Sequence, residues 1–192
     1  MPMPRLYIIS TSTRPSSAGR PLARWIAELA AEHDAFDTRL LDLGEIALPF
    51  MDEPEHPEAG VYRHQHTKDW SATIAAGDCF VFVMPMYNGG FGAPLKNAID
   101  YLYQEWQNKP VGLVSYSAGK SGGAPAVEMI QPVLGRVGLR PALRTLSVPA
   151  IESYVDEEGR FAPTADLRTR AQAVLDAVAD LATAPEAERA SA

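Results

Sequence analysis

Apolar residues follow two rhythms along this chain. Short unbroken runs at residues 5–10, 79–84 and 110–116 read as strands buried on both faces. Between them, apolar positions recur with helical spacing. Leu22, Trp25, Ile26 and Leu29 share one face, as do Trp70 and Ile74 in a helix over 67–76. Leu95, Ile99, Leu102 and Trp106 predict a helix reaching to about residue 106. Val127, Ile130, Leu134 and Val137 mark another over 124–137, and Leu167, Ala171, Val174, Val178 and Leu181 mark the last over 166–181. Residues 36–43 alternate apolar with charged, which suits a less buried strand at a sheet edge. A fifth strand is expected near 143–148. Pro125 suits the first turn of its helix, whereas Pro132 inside the same helix predicts a kink or an irregular turn.

Strand and helix thus alternate five times. That pattern predicts an α/β fold, a three-layer sandwich with a five-stranded parallel sheet covered on both faces. The strand order 2-1-3-4-5 fits it, with the switch point between strands 1 and 3. The loops after strands 1, 3 and 4 then gather on one edge, where ligands of such sheets bind. The connection over 44–62 is long and rich in proline and acid, so it reads as a solvated or functional loop.

With 192 residues the chain is expected to form a single domain over residues 1–183, with 184–192 a disordered tail. A net charge of −7 and the lack of a basic stripe argue against nucleic-acid binding. No apolar run is long enough to span a membrane, and the first residues lack the apolar stretch and cleavage site of a signal peptide. The one cysteine, Cys79, excludes an internal disulfide and suits the cytoplasm. It begins a buried strand, which favours packing over nucleophilic chemistry. His64 and His66 are two residues apart with no accompanying ligand pattern, so no metal site is expected.

The three loops carry the chemistry. The first offers Ser10, Thr11, Ser12, Thr13, Ser16 and Ser17, the guanidinium of Arg14, and Gly19 before a helix. Hydroxyls and N–H groups at a helix start, with one arginine, suit a phosphate. The alternative is a plain serine- and threonine-rich turn. A dinucleotide fingerprint is absent. The second loop, residues 85–92, contains three glycines and Tyr87, which suits a flat ring lying against backbone; it also suits a turn with positive φ. The third, around Gly119-Lys120-Ser121, imitates the end of a P-loop, but Val114 stands where the first glycine would be needed. No strained Gly-x-Ser-x-Gly elbow is present.

Pro85-x-Tyr87-Asn88, followed by Pro94-Leu95-Lys96-Asn97-Ala98-Ile99-Asp100, closely resembles the NAD(P)H-dependent FMN reductase family. Thr11-Ser12-Thr13-Arg14 and Ser17 fit the frame of its first loop, with Thr11 in place of the usual glycine, so Thr11 either approaches the phosphate or shifts the loop. The resemblance implies a flavodoxin-like fold and FMN as cofactor, with NADPH or NADH as co-substrate. It implies that Ser12, Arg14, Ser17 and Gly19 hold the phosphate, that Pro85, Met86, Tyr87, Asn88 and Gly89 lie along the isoalloxazine, and that Ser117, Ala118 and Gly119 meet its pyrimidine edge. It further implies ping-pong transfer to a small-molecule acceptor (a quinone, flavin or azo compound), no catalytic side chain, and a homodimer or homotetramer. Tyr101, Tyr103 and Trp106 are candidates for that contact or for the core. The competing expectation is a flavodoxin-like electron carrier or an FMN-binding module without nicotinamide turnover.

Overall fold

The computed structural model describes residues 3–184. The parallel sheet is built from β1 (Arg5–Ser10), β2 (Asp37–Asp42), β3 (Cys79–Tyr87), β5 (Pro110–Tyr116) and β6 (Arg140–Val148). Their order across the sheet is β2-β1-β3-β5-β6, which is the predicted 2-1-3-4-5 for the five main strands. A sixth, two-residue strand, β4 (Gly90–Phe91), pairs antiparallel with the end of β3. The alternating strand β2 lies at the edge, as its pattern predicts.

Side chains of the central strands point alternately to the two faces. Leu6, Ile8, Val81, Val83 and Val114 pack against α1 (Gly19–Ala31) and α6 (Ala165–Thr183) through Leu22, Ile26, Val174 and Val178. Tyr7, Ile9, Phe80, Phe82 and Met84 pack on the other face against α3 (Gln65–Ala76), α4 (Ala93–Asp100) and α5 (Ala124–Arg136). Trp70 and Trp106 fill that second layer, edge to face at 6.2 Å, and Trp25 lies in the first. Cys79 is fully buried, and burial pushes its thiol up to about 12, which removes it from thiolate chemistry.

Three local expectations change. The helix expected to reach residue 106 stops at Asp100, and Gln104–Trp106 is a separate 3-10 turn. Leu102 and Trp106 keep their buried places without a continuous helix, so the apolar spacing outlasted the helix that it suggested. Tyr101 is also buried, which assigns it and Trp106 to this chain's own core. Helix α5 continues through Pro132, which faces solvent, and the carbonyl it leaves without a donor, on exposed Glu128, is open to water. Strand β3 is three residues longer than expected, ending at Tyr87 rather than 84. The expected tail, residues 184–192, lies outside the described residues except for Ala184.

Candidate functional site

The strand order places the ends of β1, β3 and β5 side by side. Ser10 pairs with Val83, and Pro85 with Tyr116, so the three loops leave the sheet at one level.

The first loop, residues 11–18, is held by two aromatic hydroxyls. Ser12 Oγ lies 3.2 Å from Tyr87 Oη, and Ser17 Oγ lies 2.9 Å from Tyr116 Oη. Ser17 Oγ also accepts from Gly19 N at 3.1 Å, which fixes the start of α1. Gly19 is buried, and a Cβ there would overlap the Tyr116 ring. Its value is therefore steric: it lets the ring of Tyr116 lie directly beneath the loop. Burial raises the phenol of Tyr116, against the lowering effect of its serine hydrogen bonds, so it stays neutral and available as a donor. Thr11 does not turn its side chain toward the phosphate side of the loop. It is fully buried, and its hydroxyl and N–H both donate to the Val83 carbonyl, at 3.1 and 3.2 Å. Its side chain faces the sheet and away from the loop's open side.

Arg14 is exposed, and among the described residues its guanidinium has no carboxylate partner. Arg20, six residues on, behaves differently. Its Nε donates to Asp42 at 2.8 Å, and Nη1 donates to the Arg14 and Pro15 carbonyls at 3.2 and 3.0 Å. Arg20 thus braces the loop and leaves Arg14 as its uncommitted cation.

The second loop is a β-hairpin. Asn88 and Gly89 both have positive φ, 50° and 85°, as a two-residue type I′ turn requires. Tyr87 pairs with Gly90 and Met86 with Phe91 across it. The Asn-Gly dipeptide between apolar residues is a strong hairpin signal, and it was the clue to this turn in the sequence. Pro85 is buried, Met86 half-buried, and Tyr87, Asn88 and Gly89 are exposed. The N–H groups of Asn88 and Gly89 donate to no acceptor among the described residues.

In the third loop Ser117 is buried, with its hydroxyl donating to Gly119 O at 3.1 Å. The Ile151 and Ala150 N–H groups donate to the Ser117 and Gly119 carbonyls, at 3.1 and 3.3 Å. These bonds turn the carbonyls inward and leave Ala118 and Gly119 exposed. Lys120 is exposed beside them.

Beside the first loop and the start of α4 lies a cavity of about 420 Å³, bordered by Thr13, Leu48, Pro49, Phe50 and Pro94. Its outer wall belongs to the acidic connection, which is ordered by specific bonds. It begins with the short helix α2 (Leu43–Ile46) and contains a 3-10 turn at Pro57–Ala59. Asn97 of α4 donates to Pro49 O at 2.7 Å and accepts from Met51 N at 2.9 Å. Glu53 accepts from the N–H groups of Arg63 and His64. His66 lies 2.9 Å from Asp52, which gives that histidine a structural partner.

The arrangement suits a flat ring joined to one phosphate. A phosphate placed here would meet an uncommitted guanidinium, two hydroxyls and the first turn of a 13-residue helix. A ring meets exposed N–H groups and small residues on two adjoining loops. All the residues expected to take part lie on this edge. Ser12, Gly19, Pro85 and Ser117 are buried, and the others are partly or fully exposed. Tyr116 was missed. A polar-tipped aromatic closing an otherwise apolar strand, just before a small-residue loop, was its only mark in the sequence.

Known proteins resemble this chain in sequence and in fold. The chain is 39% identical over 165 residues to the NAD(P)H-dependent FMN reductase C4B3.06c of Schizosaccharomyces pombe, covering 82% of each chain. It is 32% identical over 132 residues to a quinone reductase of Pseudomonas putida, covering 66% of this chain and 67% of that one. Among solved structures, the flavoenzyme NAD(P)H:(acceptor) oxidoreductase FerB of Paracoccus denitrificans superposes with a TM-score of 0.74 at 21% identity, over 92% of this chain and 97% of that one. The model of the NADPH-dependent FMN reductases matches residues 4–157, which include all three loops, and the chain belongs to that family.

Proposed function

We propose that this chain is an FMN-dependent NAD(P)H oxidoreductase that passes reducing equivalents from a reduced nicotinamide to a small-molecule acceptor in a ping-pong cycle. The family match supports the activity and the cofactor. The observation that carries the site is the convergence of an uncommitted Arg14 with the exposed backbone of Asn88, Gly89, Ala118 and Gly119 on one sheet edge. FMN, when bound, would supply the hydride-transfer chemistry between nicotinamide and acceptor.

The chain's own residues bind, orient and set the charge. Arg14 meets the phosphate with charge-assisted bonds, and Ser12 and Ser17 add hydroxyls already oriented by Tyr87 and Tyr116. Gly19 makes room for Tyr116 and so shapes the floor beneath the phosphate. Pro85 and Met86 back the ring, while Tyr87, Asn88 and Gly89 line it with backbone. Ser117 shapes the third loop, whose exposed Ala118 and Gly119 would offer their N–H groups to the pyrimidine edge. Such donors stabilise the negative charge that the ring gains on reduction. No side chain is assigned an acid or base role.

The reading includes a single FMN-binding domain over residues 1–183, a cytoplasmic location, and a homodimer or homotetramer. The single buried Cys79 supports the location. No described helix is long and apolar enough to cross a membrane. Exposed Val61 and Leu143 are apolar surface that a second copy would cover. NADPH or NADH serves as donor, and a quinone, flavin or azo compound as acceptor; the quinone reductase relative supports the first.

The test is direct. Purified protein given FMN and desalted is expected to be yellow, and anaerobic NADPH or NADH is expected to bleach it. A protein that takes up no FMN contradicts the flavin site. One that is yellow but is bleached by neither nucleotide is an electron carrier instead.

A further inference from the structure

The segment after α2 is fixed in a way that its own packing does not require. Backbone groups of three consecutive residues are clamped from α4 and from Tyr101, the residue that follows it. Pro49 O accepts from Asn97 Nδ2 at 2.7 Å and from Tyr101 Oη at 3.1 Å. Phe50 O accepts from Tyr101 Oη at 3.2 Å, and Met51 N donates to Asn97 Oδ1 at 2.9 Å. Between these clamps the Phe50 ring is 84% exposed. A large aromatic side chain left in water on a tightly held backbone is informative in a way that a floppy exposed residue is not.

The position of Phe50 gives the exposure its meaning. It borders the 420 Å³ cavity, which is also lined by Thr13, between Ser12 and Arg14, and by Pro94, just beyond the hairpin. The cavity thus adjoins the first loop and the start of α4 beside the hairpin, and its volume is within the range of small-molecule pockets. Most of its border is apolar: Leu43, Ala47, Leu48, Pro49, Phe50 and Pro94. We infer that Phe50 is a specificity-determining wall of the acceptor site, held over it by Asn97 and Tyr101 as positioning residues, and that it favours planar apolar acceptors over hydrophilic ones. Asp52 Oδ1 also lies 3.2 Å from Tyr101 Oη, so the one phenol proton is shared among three oxygens of the segment.

The inference rests on the flavin reading of this edge. Its chemistry balances without a further reactant. NADPH, a proton and a quinone give NADP⁺ and the hydroquinone. Ferricyanide takes the same two electrons one at a time, two ferricyanides per NADPH, and needs no apolar wall.

The experiment uses FMN-loaded protein at saturating NADPH, with menadione and ferricyanide as alternative acceptors. Phe50→Ala is expected to lower the ratio of kcat/KM for menadione to that for ferricyanide by about two- to tenfold, the range of one aromatic contact. The loss falls on the menadione KM more than on kcat, and Phe50→Trp restores the ratio. Asn97→Ala shifts the ratio in the same direction through the same KM, which general loosening of the fold would not do selectively. A wild-type ratio in Phe50→Ala, beside normal wild-type turnover, overturns the inference and leaves the flavin reading intact. A wild-type protein that binds no FMN overturns both. Because Phe50 is exposed, its replacement is expected to leave the thermal melt unchanged.

Discussion

In residues 11–19 the polar groups that hold the loop are internal and the charge is left open. In residues 47–64 the charges are matched internally and an apolar side chain is left open. Both segments border the same edge of the sheet. Ser12, Ser17, Tyr87 and Tyr116 fix the first, and Arg14 has no carboxylate partner among the described residues. Asn97, Tyr101, Glu53 and the Asp52–His66 pair fix the second, and Phe50 projects from it. What a segment leaves uncommitted is what it offers a ligand. One offers a cation for a phosphate, and the other offers a ring for an apolar acceptor.

The comparison breaks most severely at Gly19. A methyl group there overlaps the Tyr116 ring, and neither the start of α1 nor the buried tyrosine can move without repacking. Gly19→Ala is expected to lose about 2–3 kcal/mol of stability, as overpacking of a close-packed site does. The urea midpoint reads this, and an unchanged midpoint would show that Tyr116 does not brace the loop.

A smaller effect sharpens the other side. Hydrogen bonds from His66 and Tyr101 hold the Asp52 carboxyl below the usual aspartate value. Glu53 is pushed up by burial, but the N–H groups of Arg63 and His64 help bring it below the usual glutamate value on balance. Each carboxylate is therefore more acidic folded than unfolded. The hold that they give the segment is complete above the unfolded values and is lost as pH falls through the depressed folded ones. Following the amide resonances of Arg63 and His64 by NMR should give a midpoint below 4.5, the ordinary glutamate value. A midpoint at or above it would mean that Glu53 does not hold the segment.

Much of the fold was legible because burial on two faces leaves a strong mark. The runs at β3 and β5 and the alternation at β2 yielded both the strand order and the edge. The α4 boundary was not legible, since Leu102 and Trp106 are buried whether or not the helix continues. In the site, Arg14 and the hydroxyls stood out by residue type. Tyr116 and the steric role of Gly19 did not, because each is defined by the other across 97 positions that only the folded sheet brings together. The Asn88-Gly89 turn was written in the sequence, but a general expectation of a glycine-rich loop concealed its hairpin geometry. Phe50 was illegible for a different reason. It sits in a proline-rich acidic stretch whose composition gives no sign that α4 clamps it.

The central claim is that the first loop binds a phosphate through Arg14 while the other two loops bind the ring. Titrating FMN and riboflavin separates them, since the two ligands differ only in the phosphate. In wild-type and Arg14→Ala protein, flavin fluorescence reads both affinities. The substitution is expected to weaken FMN by about 1.5–3 kcal/mol, the range for a hydrogen bond to a charged group, and to leave riboflavin unchanged. Equal weakening of both flavins, or of neither, would contradict the account.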